Sequence, residues 1–174
     1  MTDDRLAPPF SSGDRFASMS ARDLERRPRS LPEAFTGRWN LVMVAFLREH
    51  QEDVDTWTAW QSTVADEHPG FECYEVPMLA VRWLPMRRAI DGGMAYAVGD
   101  AAIKRRTLTV YTNVARAAHA LDIDDTSVIT ALLVDDTGTI RWRAAGPATP
   151  EATASVMAVL ADDGGASEDD GRPA

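Results

Sequence analysis

Residues 48–53 read Arg-Glu-His-Gln-Glu-Asp and follow directly on the apolar run Trp39–Leu47. A histidine among carboxylates, with Glu49, His50, Glu52 and Asp53 together, has the types needed for an acid/base pair or a weak metal site. The same residues have a plainer use. Acids in the first turn of a helix interact with its free N–H groups and its dipole, worth about 0.3–1 kcal/mol each. Helix capping is the favoured interpretation of the elbow, and a hydrolytic or metal site at Glu49–Asp53 is the alternative. Cys73 is the only cysteine. It lies within an apolar strand-like run, away from any helix start, where a thiol is usually buried and inert. Its alternative role is that of a catalytic thiol in an oxidoreductase. One cysteine excludes an internal disulfide. His50, His68 and His119 stand far apart with no H-x-x-x-H pair, so no structural metal site is expected. No cofactor is expected either.

Two basic clusters complete the candidates. Arg82, Arg87 and Arg88 flank one end of a middle helix, and Lys104, Arg105 and Arg106 follow the other. The chain carries a net charge of −9 and a sequence pI of about 4.7. Against that background the clusters are expected to form a patch for a protein partner or a small anion, or else a solvated face balancing Asp91 and Asp100. The global charge opposes nucleic acid, and no aromatic-basic interleaving appears. No apolar run is long enough to span a bilayer. The start, MTDDRLAPPFSSGDRF, has no apolar core of a secretory signal and too many acids for a transit peptide, so a cytoplasmic location is expected. The oligomeric state is not legible.

The elements that must position these residues follow from hydrophobic period. WNLVMVAFL (39–47) is a continuous apolar run suited to a central strand buried on both faces. A helix over about 52–67 has Val54, Trp57, Gln61 and Val64 on one stripe, and His68-Pro69-Gly70 stops it. FECYEVPML (71–79) reads as a second strand, ended or bent near Pro77. The spacing predicts one helix over 83–100, with Pro85 at its first position and Gly99 as its cap. A short strand over 107–111 precedes a helix over 114–121 capped by Asn113. SVITALLVDD (127–136) is an apolar strand, Asp136-Thr137-Gly138 a tight turn, and TIRWRAA (139–145) an alternating return strand. Thr149-Pro150-Glu151 opens the last helix, anchored by Val156 and Leu160. Trp57 and Trp142 fall on core stripes; Trp60 widens the stripe of Trp57, and either Trp60 or Trp83 is the candidate to line an exposed apolar patch.

Residues 1–30 lack helical or strand period and are expected to form a flexible arm. The folded domain is expected over 31–162, and the acidic Gly-rich tail 163–174 is expected to be disordered. The order of elements implies an α/β architecture: a mixed sheet with helices on both faces, a C-terminal β-hairpin and a final helix.

This order resembles the thioredoxin-fold superfamily, a three-layer sandwich, and is closest to its peroxiredoxin-like branch, which adds a strand and helix before the final hairpin. The resemblance rests on NLVMVAF before a helix, LTVYTNVARAAHALDI, and SVITALLVDDTGTIRW. A weaker similarity, on LLVDDTGTIRWRAAGPATPE, is to the mitochondrial ATP-synthase assembly-chaperone family. The superfamily's redox members place a cysteine at or just before the first turn of the helix after the first central strand, and thioredoxins place a cis-proline before the penultimate strand. Here the first position holds Arg48–Asp53 and the second falls near Asp125-Thr126-Ser127, so both halves of the redox site are missing. The resemblance therefore implies a redox-inactive, non-catalytic partner-binding or assembly module, with a peroxiredoxin-like enzyme using Cys73 as the alternative.

Overall fold

The computed structural model describes residues 14–165. Seven strands make one sheet: β1 (Met19–Asp23), β2 (Pro28–Leu31), β3 (Trp39–Ala45), β4 (Phe71–Ala80), β5 (Leu108–Thr112), β6 (Thr130–Asp135) and β7 (Ile140–Ala145). Their spatial order is β2-β1-β5-β4-β3-β6-β7. The centre, β3 with β4 and β4 with β5, is parallel, and the flanking pairs are antiparallel. The helices are α1 (Gln51–Val64), α2 (Arg87–Ala97), α3 (Ala101–Arg106), α4 (Val114–Ala120) and α5 (Pro150–Gly165). Among the described residues no helix is long and apolar enough to cross a membrane.

Side-chain alternation along the strands splits the core into two layers. Leu41 and Met43 of β3, with Phe71 and Cys73 of β4, face Trp57 of α1 and Val156 and Leu160 of α5. Val42 and Val44, with Tyr74, Val76 and Met78, face Ala117 and Ala118 of α4 and the residues Phe16, Leu31 and Phe35. Trp57 anchors the first layer: its indole N–H donates to the Gly146 carbonyl at 2.9 Å, and Trp142 meets its ring edge-on at 5.7 Å.

Two local devices hold the central strands in register. The Asn40 amide bridges Gly37 and the Val134 carbonyl. A side chain at Gly37 would sit 2.7 Å from the Gly70 and Trp39 carbonyl oxygens, so only glycine fits there. At the hairpin, Asp135 accepts the N–H groups of Thr137 and Thr139 and the Arg141 guanidinium, and Gly138 takes φ +83°. Burial pushes the Asp135 carboxyl up, but these hydrogen bonds win and hold it below the usual range.

Three expectations need correction. The first concerns the arm. Residues 19–31 form β1 and β2, and β1 closes the sheet against β5. The buried Asp23 carboxylate ties the pair together through Arg29 at 2.8 Å and the Arg27 N–H. Residues 1–13 and 166–174 lie outside the described residues, and α5 runs into the predicted tail as far as Gly165. The second concerns the middle helix. Val81–Met86, with Pro85 inside it, is a 3₁₀ turn, α2 follows, and the extended Val98 breaks the run. Asp100, not Gly99, sets the boundary: its carboxylate accepts the Ala102 N–H at 2.6 Å and starts α3. The third concerns Pro77. β4 does not end there; it changes neighbours, pairing with β3 up to Pro77 and with β5 from Met78.

Candidate functional site

The elbow lies at the carboxyl end of β3, where a 3₁₀ turn, Arg48–His50, leads into α1. Its acids do not cap by hydrogen bonding: the start of α1 has no side-chain cap, and Glu49 and Glu52 point to solvent. The work falls to His50, which is 4% exposed. Its Nδ1 accepts the backbone N–H groups of Phe46 at 3.1 Å and Leu47 at 3.4 Å. Its Nε2 donates to the Ser127 carbonyl at 3.0 Å. These partners define a neutral imidazole with the proton on Nε2. Both nitrogens are therefore engaged, and neither is free for proton transfer or a metal. Among the described residues no three His, Cys, Asp or Glu side chains are grouped to hold a metal ion.

Cys73 is placed far from this elbow in chemistry as well as in sequence. It is buried in the layer under α1, its Sγ 3.7 Å from Met43 Sδ, and burial pushes its thiol up to about 12. Near neutral pH it carries almost no thiolate.

The basic clusters do not converge. Arg82 follows the carboxyl end of β4, whereas Arg106 pairs with Glu72 at the amino end of the same strand. Ten residues of strand separate those ends by roughly 30 Å. Arg105 also has a partner, Glu25 at 3.4 Å. Arg82 instead lies within the 3₁₀ turn and Arg87 and Arg88 follow it, and Val81, Trp83, Leu84 and Met86 of that turn are each at least 40% exposed. Trp83 thus falls on the expected exposed patch, with the Arg82 guanidinium over its ring at 5.6 Å. Trp60 packs edge-on to Trp57.

The sequence gives no direct sign of a concavity beside the elbow. A groove of about 610 Å³ runs between the elbow, the end of β4 and α2. Phe46, Leu47, Met78, Leu79, Ile90 and Met94 make it largely apolar. Three polar side chains line it: Arg48 from the elbow, Gln51 from the start of α1 and Glu75 from β4. Burial, and then the nearby Asp55 charge, push the Glu75 carboxyl up to about 7, partly offset by a hydrogen bond from Gln51. Gln51 also donates to Asp55 at 2.9 Å. Tyr111 of β5 donates to the buried Asp91 of α2 at 2.8 Å and ties that helix to the sheet. One indirect signal for this site exists: Ala89, Gly93 and Ala97 recur every four residues, which puts the smallest side chains of α2 on one face.

No protein-family model matches the chain, and no curated protein does. Solved structures do resemble it. The thioredoxin domain of a thiol-disulfide oxidoreductase from Bacteroides vulgatus superposes with a TM-score of 0.56 at 19% identity, covering 87% of this chain and 98% of that one. StoA from Bacillus subtilis gives 0.51 at 13% identity over 83% and 98%. The exposed lipoprotein thioredoxin Etrx1 from Streptococcus pneumoniae gives 0.53 at 9% identity over 83% and 100%. These neighbours carry no support for the peroxiredoxin-like branch or for the assembly-chaperone likeness, and a lipoprotein among them leaves the compartment open. At such identities the similarity speaks for architecture, and with the mixed seven-stranded sheet and its flanking helices it shows that the chain has a thioredoxin-like fold.

Proposed function

We propose that this protein is a redox-inactive member of the thioredoxin-like fold that acts as a partner-binding or assembly module. The observation that carries this is the elbow itself. Where redox members present a thiol to the helix start, this chain has His50, whose buried ring is bonded to the Phe46 and Leu47 N–H groups at the end of β3 and across to the loop before β6. A lone thiol buried on β4 has neither the thiolate character nor the access that exchange requires. The alternative enzymes are weaker for the same reasons: Cys73 is out of reach, and a hydrolytic elbow would need a free ring nitrogen.

Binding is supported by the exposed apolar turn Val81–Met86 and the adjoining groove beside α2. Arg82 within that turn and Arg87 and Arg88 just after it would steer an acidic protein surface or a small anion toward it. The test is an assay of insulin-disulfide reduction and peroxide consumption, run beside Cys73→Ala. The expected result is no turnover above the uncatalysed rate for either protein. Turnover in the wild type that Cys73→Ala abolishes would make the chain an oxidoreductase.

A further inference from the structure

We propose that the elbow groove is a binding site for a small molecule with an apolar body and an ammonium group, the ammonium held by Glu75. This deepens the binding function proposed above and rests on it. The groove's volume, about 610 Å³, lies within the range of small-molecule sites, roughly 300–1,000 Å³. Its walls explain the apolar body. α2 presents Ala89, Ile90, Gly93, Met94 and Ala97, none of them titratable, opposite Phe46, Leu47 and Met78. A β-carbon added at Gly93 would meet nothing within 4 Å, so the small residues of α2 leave this space open.

The charge sets the other end of the ligand. Glu75 forms no ion pair among the described residues, and its one charged influence is a second acid, Asp55. Gln51 supplies a hydrogen bond but no charge. Arg48, also lining the groove from the elbow, is solvent-exposed and makes no ion pair with Glu75. The Glu75 carboxyl thus has an acid as its charged neighbour and, among the described residues, no cation bonded to it. An ammonium supplies one and satisfies the carboxylate with charge-assisted hydrogen bonds. A carboxylate ligand would add a third negative charge.

The experiment uses the full chain and three matched probes: 4-phenylbutylamine, 4-phenylbutanol and 4-phenylbutyrate. Binding is read by calorimetry and by amide NMR shifts of α2. The amine is expected to bind at least tenfold tighter than the alcohol and the acid. Glu75→Gln, which should fold at least as well as wild type, is expected to bring the amine down to the level of the alcohol. Gly93→Phe is expected to block amine and alcohol alike. Because the amine binds ionised Glu75, whose carboxyl sits near 7, its affinity should rise about tenfold from pH 6 to pH 8. Equal affinity for amine and acid, undiminished amine binding in Glu75→Gln, or no shift in α2 with any probe would overturn the proposal. Any of those results with no disulfide reduction would leave the binding module standing without this ligand. Cysteine-dependent turnover would remove the reading beneath it.

Discussion

Two side chains decide the character of the elbow, and each makes a measurable prediction. His50 is buried with three hydrogen bonds to backbone groups. His50→Ala should therefore cost about 1–3 kcal/mol in denaturant unfolding, the range for leaving buried polar groups unpartnered. Asp53→Ala should stay within about 0.5 kcal/mol, since that acid makes no cap hydrogen bond. Equal effects at the two positions would mean that the elbow depends on its charges and not on the imidazole. Glu75 predicts a pH dependence. Its carboxyl is raised from 4.5 to about 7 by burial and Asp55, so the folded protein favours the neutral form. The stability from that preference is complete below about 4.5 and is lost as pH rises to 7 and beyond. At about 1.4 kcal/mol per pH unit the loss is on the order of 3 kcal/mol. Subtracting the stability profile of Glu75→Gln from that of the wild type should expose this slope between pH 4.5 and 7. A flat difference would mean that Glu75 is solvated like an ordinary surface acid.

At the scale of elements, β1 and β2 belong to the sheet and not to an arm. Arg29→Ala leaves Asp23, whose side chain is wholly buried, with only a backbone N–H. The cost should be about 2 kcal/mol, below the roughly 3–5 kcal/mol of a fully buried pair because Arg29 is itself part-exposed. No change in denaturation midpoint would detach residues 14–31 from the fold. For α2, Gly92 has open space around it, so Gly92→Ala should stabilise by about 0.5–1 kcal/mol through helix propensity, read as a raised midpoint. These elements also show what the sequence could reveal. β3, α1, the β6–β7 hairpin and α5 were legible because apolar period and turn residues agree there. MSARD and PRSL were not: these short strands at one side of the sheet bury one or two side chains each and carry almost no period. The break at Val98–Asp100 was hidden because Met86, Ile90, Met94 and Ala97 keep helical spacing up to it. Glu75 was invisible as a site residue, since only the packing of α2 over β4 turns one acid in a strand into the floor of a groove.

Across the whole molecule, a net charge of −9 makes the placement of each basic residue matter. Arg87 and Arg88 border an exposed apolar turn, while Arg105 and Arg106 are held by Glu25 and Glu72 at the far end of the sheet. If an acidic partner docks on this protein, glutamates at Arg87 and Arg88 should slow its association and abolish the salt sensitivity, and alanines at Arg105 and Arg106 should not. Equal effects would place the docking surface elsewhere. The central claim, that the scaffold has lost its redox chemistry, turns on one atom. Cys73 Sγ lies under α1, and its thiol is pushed up to about 12 from an ordinary 9.0. The decisive measurement is the alkylation rate of Cys73 in the native protein against the rate in strong denaturant, both at pH 8. The lost thiolate alone predicts a native rate about a thousandfold lower, with burial lowering it further until labelling follows global unfolding. Native labelling as fast as in denaturant, with an apparent pKa at or below 9, would contradict the claim and return the molecule to the oxidoreductases it resembles.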